Sequence, residues 1–130
     1  VCSSDLSDMI EEYCKINGFS MLKQVTSKDV LTNWGVKIRF DKIGRQIDFA
    51  ILTSDNKVKF IETNFYNCGG SKIKSTSAEY EKLQNIIKDN GMEFIWVSDG
   101  LGWVKETTVL NQVLSSINNF WNIKKRKFGM

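Results

Sequence analysis

Histidine is absent from the 130 residues, which removes imidazole zinc ligands, a histidine general base and every Ser-His or Cys-His nucleophile pair. Much hydrolytic chemistry is thereby excluded. Cysteine is sparse. Cys2, Cys14 and Cys68 are odd in number and include no close-spaced pair, so neither a disulfide framework nor a zinc ribbon is indicated, and a reducing cytoplasm fits. No run of about eighteen apolar residues occurs, and the first twenty residues lack a basic-then-apolar signal pattern. Neither a membrane span nor secretion is expected. Charge of one sign is also scarce: 18 Lys and Arg stand against 15 Asp and Glu, a formal +3, too little to argue for a nucleic-acid partner by itself. No internal repeat, low-complexity segment or linker divides the chain. It begins with Val1 rather than Met, which suggests a longer natural protein.

What is present suits one folded unit. Hydrophobic residues make up 42% and aromatics 12% of the chain, enough for a real core at this length. The basic residues gather at Arg45, Lys72, Lys74 and the run Lys124-Lys125-Arg126-Lys127, whereas acids are frequent near the N-terminus.

One stretch, Arg45 to Lys72, puts acids among strand-forming residues. Asp48 lies between Ile47 and Phe49, and Glu62 between Ile61 and Thr63. Alternation places Gln46, Asp48, Ala50 and Leu52 on one face of a first strand, and Val58, Phe60, Glu62 and Asn64 on one face of a second. If Ser54-Asp55-Asn56 closes a hairpin with Leu52 facing Val58, Asp48 falls opposite Glu62, with Cβ atoms about 5 Å apart. Two carboxylates at that separation repel unless a cation lies between them, and hard oxygen donors suit Mg²⁺ or Mn²⁺. The pair reads as a metal site. The bland reading makes Asp48 a strand acid paired with Arg45 or Lys59.

Around this hairpin the periodicity predicts a helix over residues 5–17, with Leu6, Met9, Ile10 and Tyr13 on one side and Gly18 as its stop. Glu11 and Glu12 in it read as a solvated face rather than as ligands. A short helix is expected from Ser27 to Trp34-Gly35, a possible strand over 36–40, and a turn at 41–44. Thr76-Ser77-Ala78-Glu79 fits a capping box that opens a helix carrying Tyr80, Leu83, Ile86 and Ile87. Residues 93–98 form a buried strand parallel to the Glu62 strand, reached by a helical crossover. Thr107 or Thr108 caps a last helix whose Leu110, Val113, Leu114, Ile117, Phe120 and Trp121 face the core. The order is helix, hairpin, helix, strand, helix, a single α/β unit.

Five blocks in this order resemble the type II restriction endonucleases of the DpnII and MboI kind, in their C-terminal catalytic part. They are Arg45 to Ile51, Phe60 to Tyr66, Gly69 to Lys72, Glu79-Tyr80 and Phe94 to Trp103. The resemblance implies a restriction-endonuclease-like PD-(D/E)xK core, a mixed central sheet flanked by helices. It also implies Mg²⁺ dependence and cleavage of double-stranded DNA at GATC before the G, blocked by adenine methylation. The family proteins carry an N-terminal region that this chain lacks.

On that resemblance, Asp48, Glu62 and the backbone carbonyl of Thr63 hold one Mg²⁺, for which Mn²⁺ substitutes. The superfamily pattern has lysine two residues past the second acid, where this chain has Asn64. Asn64 can orient a water but brings no positive charge, and Lys72 is the nearest candidate for a displaced cation. Arg45, Gly69, Gly70, Ser71, Lys72 and Lys74 are expected to contact DNA, the glycines through exposed N–H groups. Against this, Ser71 and Lys72 could simply finish a glycine turn. Trp96 and Trp103 read as packing, Tyr80 as helix packing, Asp99 as a turn residue and Cys68 as incidental. The basic run at 124–127 reads as a solvated tail first and a phosphate contact second.

The leading expectation is a magnesium-dependent, site-specific endonuclease of a restriction system, with a symmetric target suggesting a homodimer. The alternatives are a DNA-binding module that keeps the fold without cutting, and a nicking or junction-resolving nuclease on the same fold.

Overall fold

A computed structural model of the chain describes residues 3–66, 71–100, 103–104 and 106–122. The elements run α1 (Ser3–Asn17), β1 (Ser20–Val25), α2 (Ser27–Trp34), β2 (Ile47–Leu52), β3 (Val58–Phe65), α3 (Ser71–Asp89), β4 (Glu93–Asp99), α4 (Thr107–Ser116) and β5 (Phe120–Asn122). The five strands form one mixed sheet in chain order. β1 to β3 pair antiparallel, and β3, β4 and β5 pair parallel. Among the described residues no helix is long and apolar enough to cross a membrane.

The β2–β3 hairpin forms in the expected register. Leu52 faces Val58 and Phe49 faces Ile61. The loop closes because the Thr53 N–H donates to the Lys57 carbonyl at 2.9 Å and Asn56 takes a left-handed conformation, φ 62°, which asparagine tolerates better than most residues.

Alternation then sorts the strands between two cores. Val58, Phe60, Phe94, Trp96 and Phe120 pack with Val30 of α2, Ile73, Tyr80, Leu83 and Ile87 of α3, and Val109, Leu110 and Val113 of α4. Phe49, Ile51, Ile61 and Val97 face the other way, onto Leu6, Ile10 and Cys14 of α1. The unbroken apolar run in β4 follows from this: both its faces are covered. Glu62 is even-numbered like Phe60, so it shares the face packed by α3.

Four expectations are corrected. Residues 36–40 are not a strand; the extra edge strand is β1, paired to β2 through Leu22 opposite Ala50 and Val25 opposite Ile47. Met21, Leu22, Lys23 and Gln24 are good helix formers, and pairing with β2 overrides that preference. α3 begins at Ser71, so Thr76 to Glu79 lie inside the helix rather than at its cap. Ile73 is fully buried and extends the stripe backward, and the Ser75 and Ser77 hydroxyls donate to the Lys72 and Ile73 carbonyls at 3.1 and 2.7 Å. The last helix stops at Ser116, with Glu106 rather than a threonine at its N-cap, and Phe120–Asn122 add a fifth strand. Phe120 remains in the core, whereas Trp121 on the opposite side of that strand is 38% exposed. The element order therefore contains two more strands than expected.

The end of β4 is fastened to the end of β3. The Tyr66 N–H donates to the Asp99 carbonyl at 2.9 Å, and Gly100 lies so close that a Cβ there would meet the Tyr66 oxygen at 1.9 Å, at φ +114°. Only glycine fits both constraints. Gly100→Ala is expected to lose at least ~2 kcal/mol in urea denaturation, whereas Gly44→Ala, at φ +74° in open space, loses about 1 kcal/mol.

Candidate active site

Extending the register one pair past Phe49 and Ile61 brings Asp48 opposite Glu62. The backbone ladder between the strands ends there, and a side chain takes over. The Thr63 N–H donates to Asp48 Oδ2 at 2.8 Å, and the Thr63 hydroxyl donates to the same oxygen at 3.1 Å. In an extended strand a residue's N–H and C=O leave on the same side, so the Thr63 carbonyl also faces the β2 side. Asp48 is thus anchored through one oxygen.

Glu62 is 6% exposed. Its carboxyl is pushed up to about 9, first by burial, then by its hydrogen bond with Asp48 and by the Asp48 charge; a backbone hydrogen bond and the nearby Arg45 charge oppose the rise. The buried Glu62 carboxyl thus resists ionising beside a second acid.

Neither bland partner of Asp48 is available. Arg45 is held by Asp41, with Nε to Oδ1 at 2.5 Å and Nη2 to Oδ2 at 3.0 Å, and its Nη2 also donates to Glu79 of α3. Burial would lower the guanidinium pKa, but these carboxylates outweigh it and raise the value. Only 7% of the Arg45 side chain is exposed, so it ties the turn before β2 to α3 beside the acids. Lys59 pairs with Glu93 at 3.5 Å.

Asn64, two residues past Glu62 on the same face, is tied at both ends of its carboxamide. Its Oδ1 accepts from the Trp96 indole N–H, and its Nδ2 donates to the Tyr80 hydroxyl at 3.2 Å. Trp96 is the β4 residue in register with Glu62, so the parallel crossover itself brings the indole to the acids. Tyr80 packs edge-on against Trp96, ring centroids 4.9 Å apart and planes at 84°. Burial, then the Glu62 charge, raises the Tyr80 phenol, which puts that hydroxyl beside the acid. Sequence reasoning assigned both rings to packing alone; the signal for more was their polar tips on a face shared with two carboxylates.

Lys72 and Lys74 are exposed on the first turn of α3 and form no ion pair among the described residues. α3 returns antiparallel to β3, so its first turn stands at the end of the sheet where Asp48, Glu62 and Asn64 lie. Tyr80 is eight residues along, about 12 Å of helix rise, so Lys72 belongs to the rim and Tyr80 to the interior. Ser71 opens α3. Gly69, Gly70, Cys68 and the basic run 124–127 lie outside the described residues. Asp99 ends β4, paired with Phe65, and Trp103 packs in the core with its indole donating to Ser98 Oγ at 2.8 Å.

The donor set fits a hard divalent cation. Among the described residues no three His, Cys, Asp or Glu side chains cluster, but Mg²⁺ keeps several waters and needs only one or two carboxylates plus phosphate oxygens. A buried acid pair that cannot ionise fully alone is what such an ion relieves.

The unfolded Glu62 carboxyl titrates near 4.5 and the folded one near 9. Between those values the folded state carries the extra proton, so stability is fully present below about 4.5 and falls as pH rises through the window. Urea melts in EDTA are expected to show wild-type stability decreasing from pH 5 to 9 and a flatter profile for Glu62→Gln; identical slopes would contradict the raised Glu62 carboxyl.

The comparisons with known proteins agree with this geometry. The family described as DpnII restriction endonuclease matches residues 1–130. The chain is 37% identical over 125 residues to the type II restriction enzyme MjaIII of Methanocaldococcus jannaschii, covering 93% of this chain and 43% of that one. It is 32% identical over 127 residues to the type II restriction enzyme LlaDCHI of Lactococcus lactis subsp. cremoris, covering 95% and 42%. To the type II restriction enzyme MboI of Moraxella bovis it is 35% identical over 80 residues, covering 61% and 28%. The chain thus spans less than half the length of these relatives. No solved structure matches it. A mixed sheet flanked by helices, with paired acids where β2 and β3 part, is the restriction-endonuclease-like core, and the chain belongs to the DpnII restriction endonuclease family.

Proposed function

We propose that this chain is the catalytic part of a magnesium-dependent type II restriction endonuclease, hydrolysing phosphodiester bonds of duplex DNA at GATC. The observation that carries the reading is the buried Glu62 opposed by Asp48 at one end of the sheet, in a chain of restriction-enzyme ancestry. The GATC target is what the resemblance to the DpnII and MboI kind implies.

Asp48, Glu62 and the Thr63 carbonyl would hold Mg²⁺ or Mn²⁺, which supplies Lewis acidity toward a phosphate oxygen and a more acidic water. The remaining work falls to the chain itself. Thr63 fixes the Asp48 carboxylate through two hydrogen bonds, so one oxygen has a single orientation. Asn64 offers an amide donor to the attacking water, which displaces the 3′ oxygen in line and leaves a 5′-phosphate and a 3′-hydroxyl. Lys72 and Lys74 bring positive charge to the rim, where Lys72 opposes charge growing on the phosphoryl oxygens. The positive end of the α3 dipole points the same way. Gly69, Gly70 and Ser71 contact the DNA backbone in this reading. Arg45 acts through Asp41 and Glu79, framing the site, and reaches DNA only if those pairs open.

A symmetric target matches a homodimer, and three cysteines with no close-spaced pair in the sequence match the cytoplasm. A second reading, a DNA-binding module that does not cut, draws on Asn64 standing where the superfamily has a cation.

Supercoiled plasmid with GATC sites, methylated or unmethylated, incubated with Mg²⁺ separates the readings. Linear products from unmethylated plasmid are expected; open circles alone indicate nicking, and a gel shift without cutting indicates the binding module. Asp48→Ala should lower cleavage by at least about a thousandfold with the circular-dichroism melt retained, and an active Asp48→Ala protein would remove the site. Lys72→Ala should slow cleavage about tenfold or more.

A further inference from the structure

The carboxamide of Asn64 is the part of this site with a defined orientation and no charge. A tryptophan indole can only donate a hydrogen bond, so the bond from Trp96 Nε1 requires the oxygen of Asn64 on that side and removes the ambiguity of an amide flip. Nδ2 then faces the Tyr80 hydroxyl. One of its two hydrogens goes to the Tyr80 oxygen, and the amide carries a second. Having accepted that bond, the Tyr80 hydroxyl keeps its own proton free to donate.

Three elements hold this arrangement at once. Asn64 comes from β3, Trp96 from β4 and Tyr80 from α3. Trp96 is fully buried, and it packs edge-on against Tyr80, Trp103 and Phe120 at 4.9 to 5.6 Å. A flexible cation would tolerate an imprecise mounting because Coulomb attraction is weakly directional. A neutral amide is useful only when its N–H points correctly. The aromatic cluster supplies that direction.

We propose that Trp96 and Tyr80 are positioning residues for the reaction: together they clamp the Asn64 carboxamide so that its remaining Nδ2 hydrogen is aimed at the attacking water, doing by orientation what a lysine does by charge. This rests on the nuclease reading of the Asp48–Glu62 site and adds to it residues that never touch DNA.

The test is a double-mutant cycle on plasmid cleavage with Mg²⁺, using Trp96→Phe and Tyr80→Phe, which keep a ring and lose only the polar tip, each alone and combined with Asn64→Ala. Each single change should lower kcat about tenfold, the worth of one oriented hydrogen bond, with KM within about twofold. In the Asn64→Ala background neither should lower kcat further, since both act through that amide. Full additivity, or a change confined to KM, overturns the clamp.

A readout independent of turnover keeps the two proposals apart. The Trp96 indole N–H resonance should shift in Asn64→Leu and in Tyr80→Phe; an indole indifferent to both overturns the clamp even if the protein cuts DNA. If the indole responds while the wild-type protein leaves DNA intact, the catalytic assignment of clamp and acids falls, and the hydrogen-bond chain stands as a feature of the fold alone.

Discussion

Everything at the working end of this molecule depends on the Glu62 carboxyl being buried opposite a second acid, Asp48. Glu62 takes the place in β3 that the alternation reserves for a core side chain, between Phe60 and Asn64 and against α3. A carboxylate alone there would be strongly penalised, and Asp48 across the strand makes ionisation harder still. The fold surrounds the pair with several polar bonds. Thr63 grips one oxygen of Asp48 with its N–H and hydroxyl, and Arg45, bound to Asp41 and Glu79, places a fixed positive charge near Glu62. In the proposed function a doubly charged ion would offset the charge of the two acids.

Much of this was legible in the sequence because it rests on local rules. The three-residue loop after Thr53 sets the hairpin register, and the register alone opposes Asp48 to Glu62. The two-residue period tells which faces they share. The glycine past Trp34 and the apolar stripe of α3 likewise state their elements directly. What stayed hidden is non-local. β1 is written in helix-forming residues and becomes a strand only by pairing with β2. The first turn of α3 looks like loop until Ile73 is seen to be buried. β5 is three residues long and takes its identity from β4. Arg45 read as a partner of Asp48 or a DNA contact, whereas its partners, Asp41 and Glu79, include one thirty-four residues away.

The same contrast applies to Asn64. By type it is a poor substitute for lysine, since it lacks charge. By position it is well constrained, because Trp96 and Tyr80 fix both ends of its amide. The positive charge has moved outward to the exposed Lys72 and Lys74 on the first turn of α3, at the end of the sheet a phosphate backbone would approach. In the proposed mechanism, orientation inside and charge at the rim would divide between them the work that the superfamily pattern gives to one lysine. A chain spanning less than half of its relatives can carry this division intact, because every residue in it comes from β2, β3, β4 or α3.

The central claim is that Asp48 and Glu62 form an incompletely ionised pair awaiting a divalent cation. Calorimetric titration of Mg²⁺ into the metal-free protein at pH 7.5, in two buffers of different ionisation enthalpy, addresses it most directly. The account predicts saturable binding that releases close to one proton per ion, because Glu62 must lose its proton to become a ligand, and no such binding in the Asp48→Asn, Glu62→Gln protein. Binding without proton release, or binding that survives loss of both carboxylates, would contradict it.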